Sequence, residues 1–146
     1  MSLAFTVLHV DDDSNDILLV RRAFQKAGVE TPPANVGDGL EAEDYLAGRG
    51  EYSDRARYPL PSLVLLDIKL PKKSGLEVLG WMREQPDLRL IPVIMLTSSQ
   101  NNGDIRRAYE LGANSYLVKP TEIGTLVEMV KALNVYWMIY NRQPTL

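Results

Sequence analysis

Four short apolar runs in this 146-residue chain end in residues that can do chemistry. Val10 is followed by Asp11, Asp12 and Asp13, Leu66 by Asp67, Leu96 by Thr97 and Ser98, and Val118 by Lys119 and Pro120. Crowded carboxylates repel one another unless a cation neutralises them, and a site built of oxygen donors suits Mg2+. Magnesium readily takes phosphate oxygens beside protein carboxylates. Lys119 adds a point charge for a phosphoryl oxygen, and Thr97 adds a hydroxyl donor. A carboxylate in that setting can attack phosphorus and form an acyl phosphate. Each piece alone has a plainer reading. An Asp run before Ser14-Asn15-Asp16 serves as loop and helix cap, and a Thr-Ser pair after a strand turns the chain. His9, inside the first run, reads as a hydrogen-bonded core residue. The case for a site lies in all four groups occurring at equivalent ends of one inferred sheet.

The elements that must position these groups alternate regularly. Residues 6–10 are β-branched and apolar over a length too short for a helix, which predicts a strand. Ser14 is placed to cap a helix whose apolar positions Ile17, Val20, Phe24 and Ala27 step by three and four, with Gly28 as its stop. Residues 34–36 form a second strand after Pro32-Pro33, and a helix over 40–47 follows. Residues 63–66 and 93–96 are uninterrupted aliphatic runs, the mark of parallel strands covered on both faces. Helices are expected over 75–84 and 104–111, a last strand over 116–118, and a last helix from about 121 toward 140. Five βα units imply an α/β fold with an open, doubly wound parallel sheet and helices on both faces. Ligands of such sheets bind outside the carboxyl ends of the strands, where the four loaded positions fall.

Composition narrows the chemistry further. With no Cys and one His there is no disulfide framework, thiolate nucleophile or two-histidine zinc site. A net charge of -3 argues against a surface built to neutralise nucleic acid. No run reaches the length of a membrane span, and the N-terminus lacks the pattern of a secretion signal, so the expected location is cytoplasmic. The sequence holds no Walker A, G-x-G-x-x-G, H-E-x-x-H or G-x-S-x-G pattern.

The segments VLHVDDDSND, LVLLDIKLPKKSGLEVL, VIMLTSS and GANSYLVKP, in this order, resemble the receiver domains of two-component response regulators. The likeness runs from about Thr6 to Leu133. It implies the flavodoxin-like strand order 2-1-3-4-5, with Asp67 as phosphoacceptor. It implies Asp11 and Asp12 as the acidic pair for Mg2+, Asp12 the more direct ligand, completed by Asp67 and the backbone carbonyl of Lys69. Thr97 and Lys119 would contact the phosphoryl group, Tyr116 would be the aromatic switch residue coupled to Thr97, and the peptide bond before Pro120 would be cis. The implied activity is acceptance of a phosphoryl group from a sensor histidine kinase, with slow self-hydrolysis and no turnover of an external substrate. Output would pass through protein contacts, with no nucleic acid or membrane partner.

Three features stand apart. Lys69 places a cation near the acceptor, with its side chain expected toward solvent. Residues 48–61 form a connection well beyond the usual length. With RGEY and DIKLPKKSG, it resembles the single-domain regulators that partner bacterial phytochrome-type kinases. The last helix carries two apolar stripes, Ile123, Leu126, Val130, Leu133, Trp137 and Tyr140 on one and Met129, Ala132, Tyr136 and Ile139 on the other. One sheet needs one apolar face, and the second predicts a homodimer through the C-terminal helix. The expected organisation is a single receiver domain over 1–146, with a core over 4–133, the loop at 48–61 and a C-terminal extension over 133–146. Two other readings are open. Asp11 and Asp13 match the spacing of a Mg2+-dependent aspartyl-nucleophile phosphatase, and the chain could serve as a phosphorelay intermediate rather than an end effector.

Overall fold

The computed structural model describes residues 5–144, so the first residue of the expected core and the last two of the extension lie outside the described residues. Five strands, β1 (Val7–Val10), β2 (Ala34–Val36), β3 (Leu63–Leu66), β4 (Val93–Thr97) and β5 (Ser115–Val118), form one parallel sheet in the order β2-β1-β3-β4-β5. β1, β3 and β4 are buried along their whole length, which is why their sequences are continuous apolar runs rather than alternating ones.

Helices α1 (Ser14–Lys26) and α5 (Ile123–Leu133) cover one face, packing Phe24, Val20, Leu126 and Val130 against Leu63, Leu65, Ile94 and Leu96. Helices α2 (Gly39–Ala47), α3 (Gly75–Glu84) and α4 (Asn102–Glu110) cover the other, closing over Leu8, Val10, Val64, Leu66 and Met95. Full burial of each large aliphatic side chain stabilises by roughly 1.5–3 kcal/mol. The two cores together fix the sheet edge that carries the polar residues.

Three local expectations change. The side chain of Asp13, not Ser14, caps α1, accepting from the N–H groups of Asn15 and Asp16 at 2.9 and 3.0 Å. A carboxylate at this position also faces the positive end of the helix dipole. The long connection is folded: a 3-10 turn (Gly50–Ser53) brings Tyr52 against Tyr45 and Tyr58, with ring centroids 5.0 Å apart in each pair. Arg55 donates to the carbonyls of Tyr45 and Leu46 at 2.8 Å, satisfying acceptors at the end of α2. The last helix is not uniformly α-helical. After Leu133 the chain passes into a π-helical segment, Asn134–Tyr140. In that wider i→i+5 turn a residue three beyond Trp137 no longer comes round beneath it, so Trp137 and Met138 pack on the core while Tyr140 leaves it.

Candidate functional site

The polar residues that follow β1, β3, β4 and β5 are held by the ladder itself. Asp67 N–H donates to Val10 O at 3.1 Å, Asp11 N–H to Val36 O at 3.1 Å, and Lys119 N–H to Thr97 O at 2.8 Å. The turn after β3 has no slack. A Cβ on Gly75 would lie 1.8 Å from the Asp67 carbonyl oxygen, and one on Gly39 would lie 2.0 Å from that of Lys73. Both glycines permit backbone to approach backbone, clamping the loop that carries Asp67 and Lys69 between α2 and α3. The buried Glu43 pairs with Lys73 across the same contact.

Lys119 is the centre of the site. Its Nζ donates to Asp67 Oδ2 at 2.8 Å and to Asp16 Oδ2 at 2.7 Å, and lies 2.8 Å from Asp11 Oδ2 in an ion pair. Asp67 Oδ1 accepts from the N–H of Ile68 at 2.7 Å, and Asp11 Oδ1 from that of Asp13 at 3.0 Å. Burial alone would raise the Asp11 pKa, but the adjacent His9 and Lys119 side chains, the hydrogen bond from the Asp13 N–H and the Lys119 charge outweigh it and hold the group at about 2. Burial would likewise lower the Lys119 pKa, and its close contacts with Asp11, Asp16 and Asp67 raise it instead. Asp11 is thus anchored as an anion and Lys119 as a cation.

Three carboxylates around one ammonium leave an excess of negative charge. Asp11 Oδ2 is buried and, though paired with the ammonium, has no aligned hydrogen-bond donor. An all-oxygen donor set short of positive charge fits a hard divalent cation. No group of three or more acidic or imidazole side chains among the described residues is arranged to enclose a metal. Mg2+ is a hard cation that keeps several waters and uses few protein carboxylates. Asp12 is exposed on the loop before α1. Lys69 is exposed as well, and lines a cavity of about 340 Å³ with Asp67, Thr97, Ser99 and Asp104. Thr97 is buried, 1% exposed, at the floor of this cavity.

Tyr116 points its hydroxyl inward and donates to Ser99 O at 2.8 Å, while Ser99 Oγ donates to Asp104 Oδ2 at 2.6 Å. Burial raises the Tyr116 pKa despite the Ser99 bond, with the Asp104 and Asp67 charges adding to the rise, so the hydroxyl stays a donor. Asp16, Ser99 and Asp104 are not evident as site residues from motif spacing. Asp16 was legible in principle, because first-turn side chains tilt back toward the helix N-terminus and so toward the strand ends. Ser99 and Asp104 become neighbours only through the fold of the β4–α4 turn.

The cis bond and the hydrogen-bonded state of His9 are corrected. No cis peptide bond occurs among the described residues, so the bond before Pro120 is not cis; for X-Pro the trans form is ordinarily favoured by about 0.5–1 kcal/mol. His9 is buried, as expected, but its Nε2 stands 3.5 Å from Asp11 Oδ2, at the long limit of a hydrogen bond, since a strand covered on both faces offers little else polar. Asp13, the second carboxylate of the phosphatase reading, has its Oδ1 engaged by the α1 N–H groups.

The response regulator receiver domain profile matches residues 7–131. The chain belongs to the response regulator receiver family. Response regulator Rcp1 of Synechocystis sp. is 38% identical over 132 residues, covering 90% of this chain and 88% of Rcp1. The probable methanogenesis regulatory protein FilR2 of Methanothrix harundinacea is 39% identical over 140 residues, covering 96% of this chain and 88% of its own. Among solved structures, response regulator RPA3017, described as acting in red light signaling of R. palustris, aligns at a TM-score of 0.92 and 35% identity over 98% of this chain and all of that one. The receiver thus shares fold, strand order and near-complete length with single-domain phytochrome response regulators, and its function is that of a phosphoacceptor response regulator.

Proposed function

We propose that Asp67 is the phosphoacceptor and that a sensor histidine kinase is the donor. The observation that carries this is the Asp67 carboxylate, bonded to Lys119 at 2.8 Å and opening on a cavity shared with Thr97. In the step, an Asp67 oxygen forms a bond to phosphorus as the bond from phosphorus to the kinase imidazole nitrogen breaks, the electron pair leaving with the imidazole. Asp11 and Asp12, with Asp67 and the Lys69 carbonyl, would hold Mg2+, which neutralises charge on the phosphoryl oxygens when bound. A related structure is that of the Mn(2+)-bound form of Rcp1. Lys119 takes a phosphoryl oxygen, Thr97 donates its hydroxyl, and Tyr116 follows Thr97 as the switch. Residues 1–146 act as one receiver domain, without enzymatic turnover of an outside substrate.

The kinase is of the phytochrome class, by analogy with the related structures of the cyanobacterial phytochrome response regulator RcpA and the bacteriophytochrome response regulator RtBRR, 35% and 40% identical to this chain. The output is a protein contact in the cytoplasm; among the described residues no helix is long and apolar enough to cross a membrane. A homodimer forms through the C-terminal helix, where Tyr136, Ile139 and Tyr140 are exposed by 57, 61 and 74%. Incubation with Mg2+ and acetyl phosphate should give one hydroxylamine-labile acyl phosphate per chain, absent in Asp67→Ala. Multiple turnover over a panel of phosphate esters would overturn this reading in favour of a phosphatase.

A further inference from the structure

Lys119 makes hydrogen bonds to two carboxylates, and only one of them is altered by phosphoryl transfer. Once Asp67 carries phosphorus its bonded oxygen loses its charge, and Asp11 Oδ2, without an aligned donor, is the oxygen open to a divalent cation. Asp16 stands apart from both changes. It projects from the first turn of α1, is half-buried, and reaches across 103 residues of sequence to Lys119 Nζ at 2.7 Å, as close as any contact the lysine makes. Its backbone N–H is bound to the Asp13 cap at 3.0 Å, so the helix terminus that carries it is itself fixed.

We infer that Asp16 is a positioning residue, the constant tether that keeps the Lys119 ammonium at the acceptor while Asp67 and Asp11 change their bonding. A lysine side chain has a long flexible stem with three rotatable donors, and its ammonium is placed only by its partners. If Asp67 were its single aligned partner, the lysine would lose its guide at the moment its charge is needed on the phosphoryl oxygens. With Asp16 in place, one donor stays anchored to α1 and another is left to turn from Asp67 to the phosphoryl group. The inference rests on Asp67 being the acceptor.

The test uses the full chain carrying Asp16→Ala, Asp16→Asn and Asp16→Glu. In the unphosphorylated protein, the Lys119 ammonium protons should be protected enough to give a side-chain NMR signal, lost in Asp16→Ala and retained in Asp16→Glu. With acetyl phosphate at saturating Mg2+, the limiting labelling rate should fall about tenfold in Asp16→Ala, the loss expected for one charge-assisted hydrogen bond. Half-saturating donor should hold steady, and Asp16→Glu should recover part of the rate. Calorimetric titration with Mg2+ alone should give an affinity within about threefold of the unaltered protein, which excess Mg2+ compensates. Labelling at the original rate or faster in Asp16→Ala overturns the inference, because Asp16 would then be idle or a competitor for Lys119. A large loss of Mg2+ affinity, with the rate restored by excess Mg2+, overturns it too and makes Asp16 a metal-site carboxylate. If Asp16→Ala fails to fold, Asp16→Asn carries the same comparison. Absence of labelling in the unaltered protein would defeat the acceptor reading instead, with the lysine signal still reporting whether the tether exists.

Discussion

At the carboxyl edge of the sheet, Lys119 contacts the buried carboxylates of Asp11 and Asp67 and the half-buried one of Asp16, whereas at the end of the chain Tyr136, Ile139 and Tyr140 stand more than half exposed with apolar surface turned outward. The first region is a concentration of charge in a place that resists charge, and the second is apolar surface in a place that favours polar groups. Each departs from the rule that governs the rest of the molecule, and the departures differ in kind. Removing one charge at the edge leaves its partners buried and unpaired. Removing an exposed side chain at the end leaves the fold as it was, so what that surface does shows only in association.

Four outcomes would break or sharpen this contrast. The largest effect belongs to Asp67→Asn, which should abolish acyl phosphate formation, while Ile139→Asp leaves labelling within about twofold; a loss of labelling in both would erase the separation of the two regions. Next, Lys119→Met should lower unfolding free energy in chelator at pH 7 by about 3 kcal/mol, because carboxylates are stranded beside one another, with part of the loss recovered on adding Mg2+. Denaturant titrations with and without the cation would measure it.

The pH dependence has a definite sign. The folded pKa of Asp11, about 2, lies below its ordinary value of 3.8, so its stabilisation is present above about pH 4 and is lost as pH falls toward 2. That loss should amount to about 2 kcal/mol in chelator and be missing in Asp11→Asn. The smallest stability effect is expected at the far end, where Ile139→Asp should change unfolding free energy by less than about 0.5 kcal/mol yet shift a sedimentation profile from dimer to monomer. An unaltered protein that sediments as a monomer at high concentration, phosphorylated or not, would remove the interface.

Much of the fold was legible because its signals are local. A parallel strand buried on both faces must be apolar throughout, and residues 63–66 and 93–96 are. Asp11, Asp67, Thr97 and Lys119 were legible for a related reason, since the first polar residue after such a strand has to emerge at the sheet edge. The π-helical turn after Leu133 was not, because a repeat of apolar residues every three or four positions reads the same whichever way the last turns are wound. Only packing of Trp137 and Met138 on the core decides between them.

The sequence by itself determined the element types, the strand ends and the residue chemistry gathered there, because hydrophobic period and strand termination are properties of neighbouring residues. The tertiary structure decided which carboxylates share Lys119, since Asp16 and Lys119 meet only when α1 and α5 pack on one face of the sheet and bring the first turn of the helix over the end of β5. It also decided which side of the last helix is left uncovered. Contacts across a hundred residues depend on where whole elements are seated, and that depends on burial summed over both cores rather than on any motif.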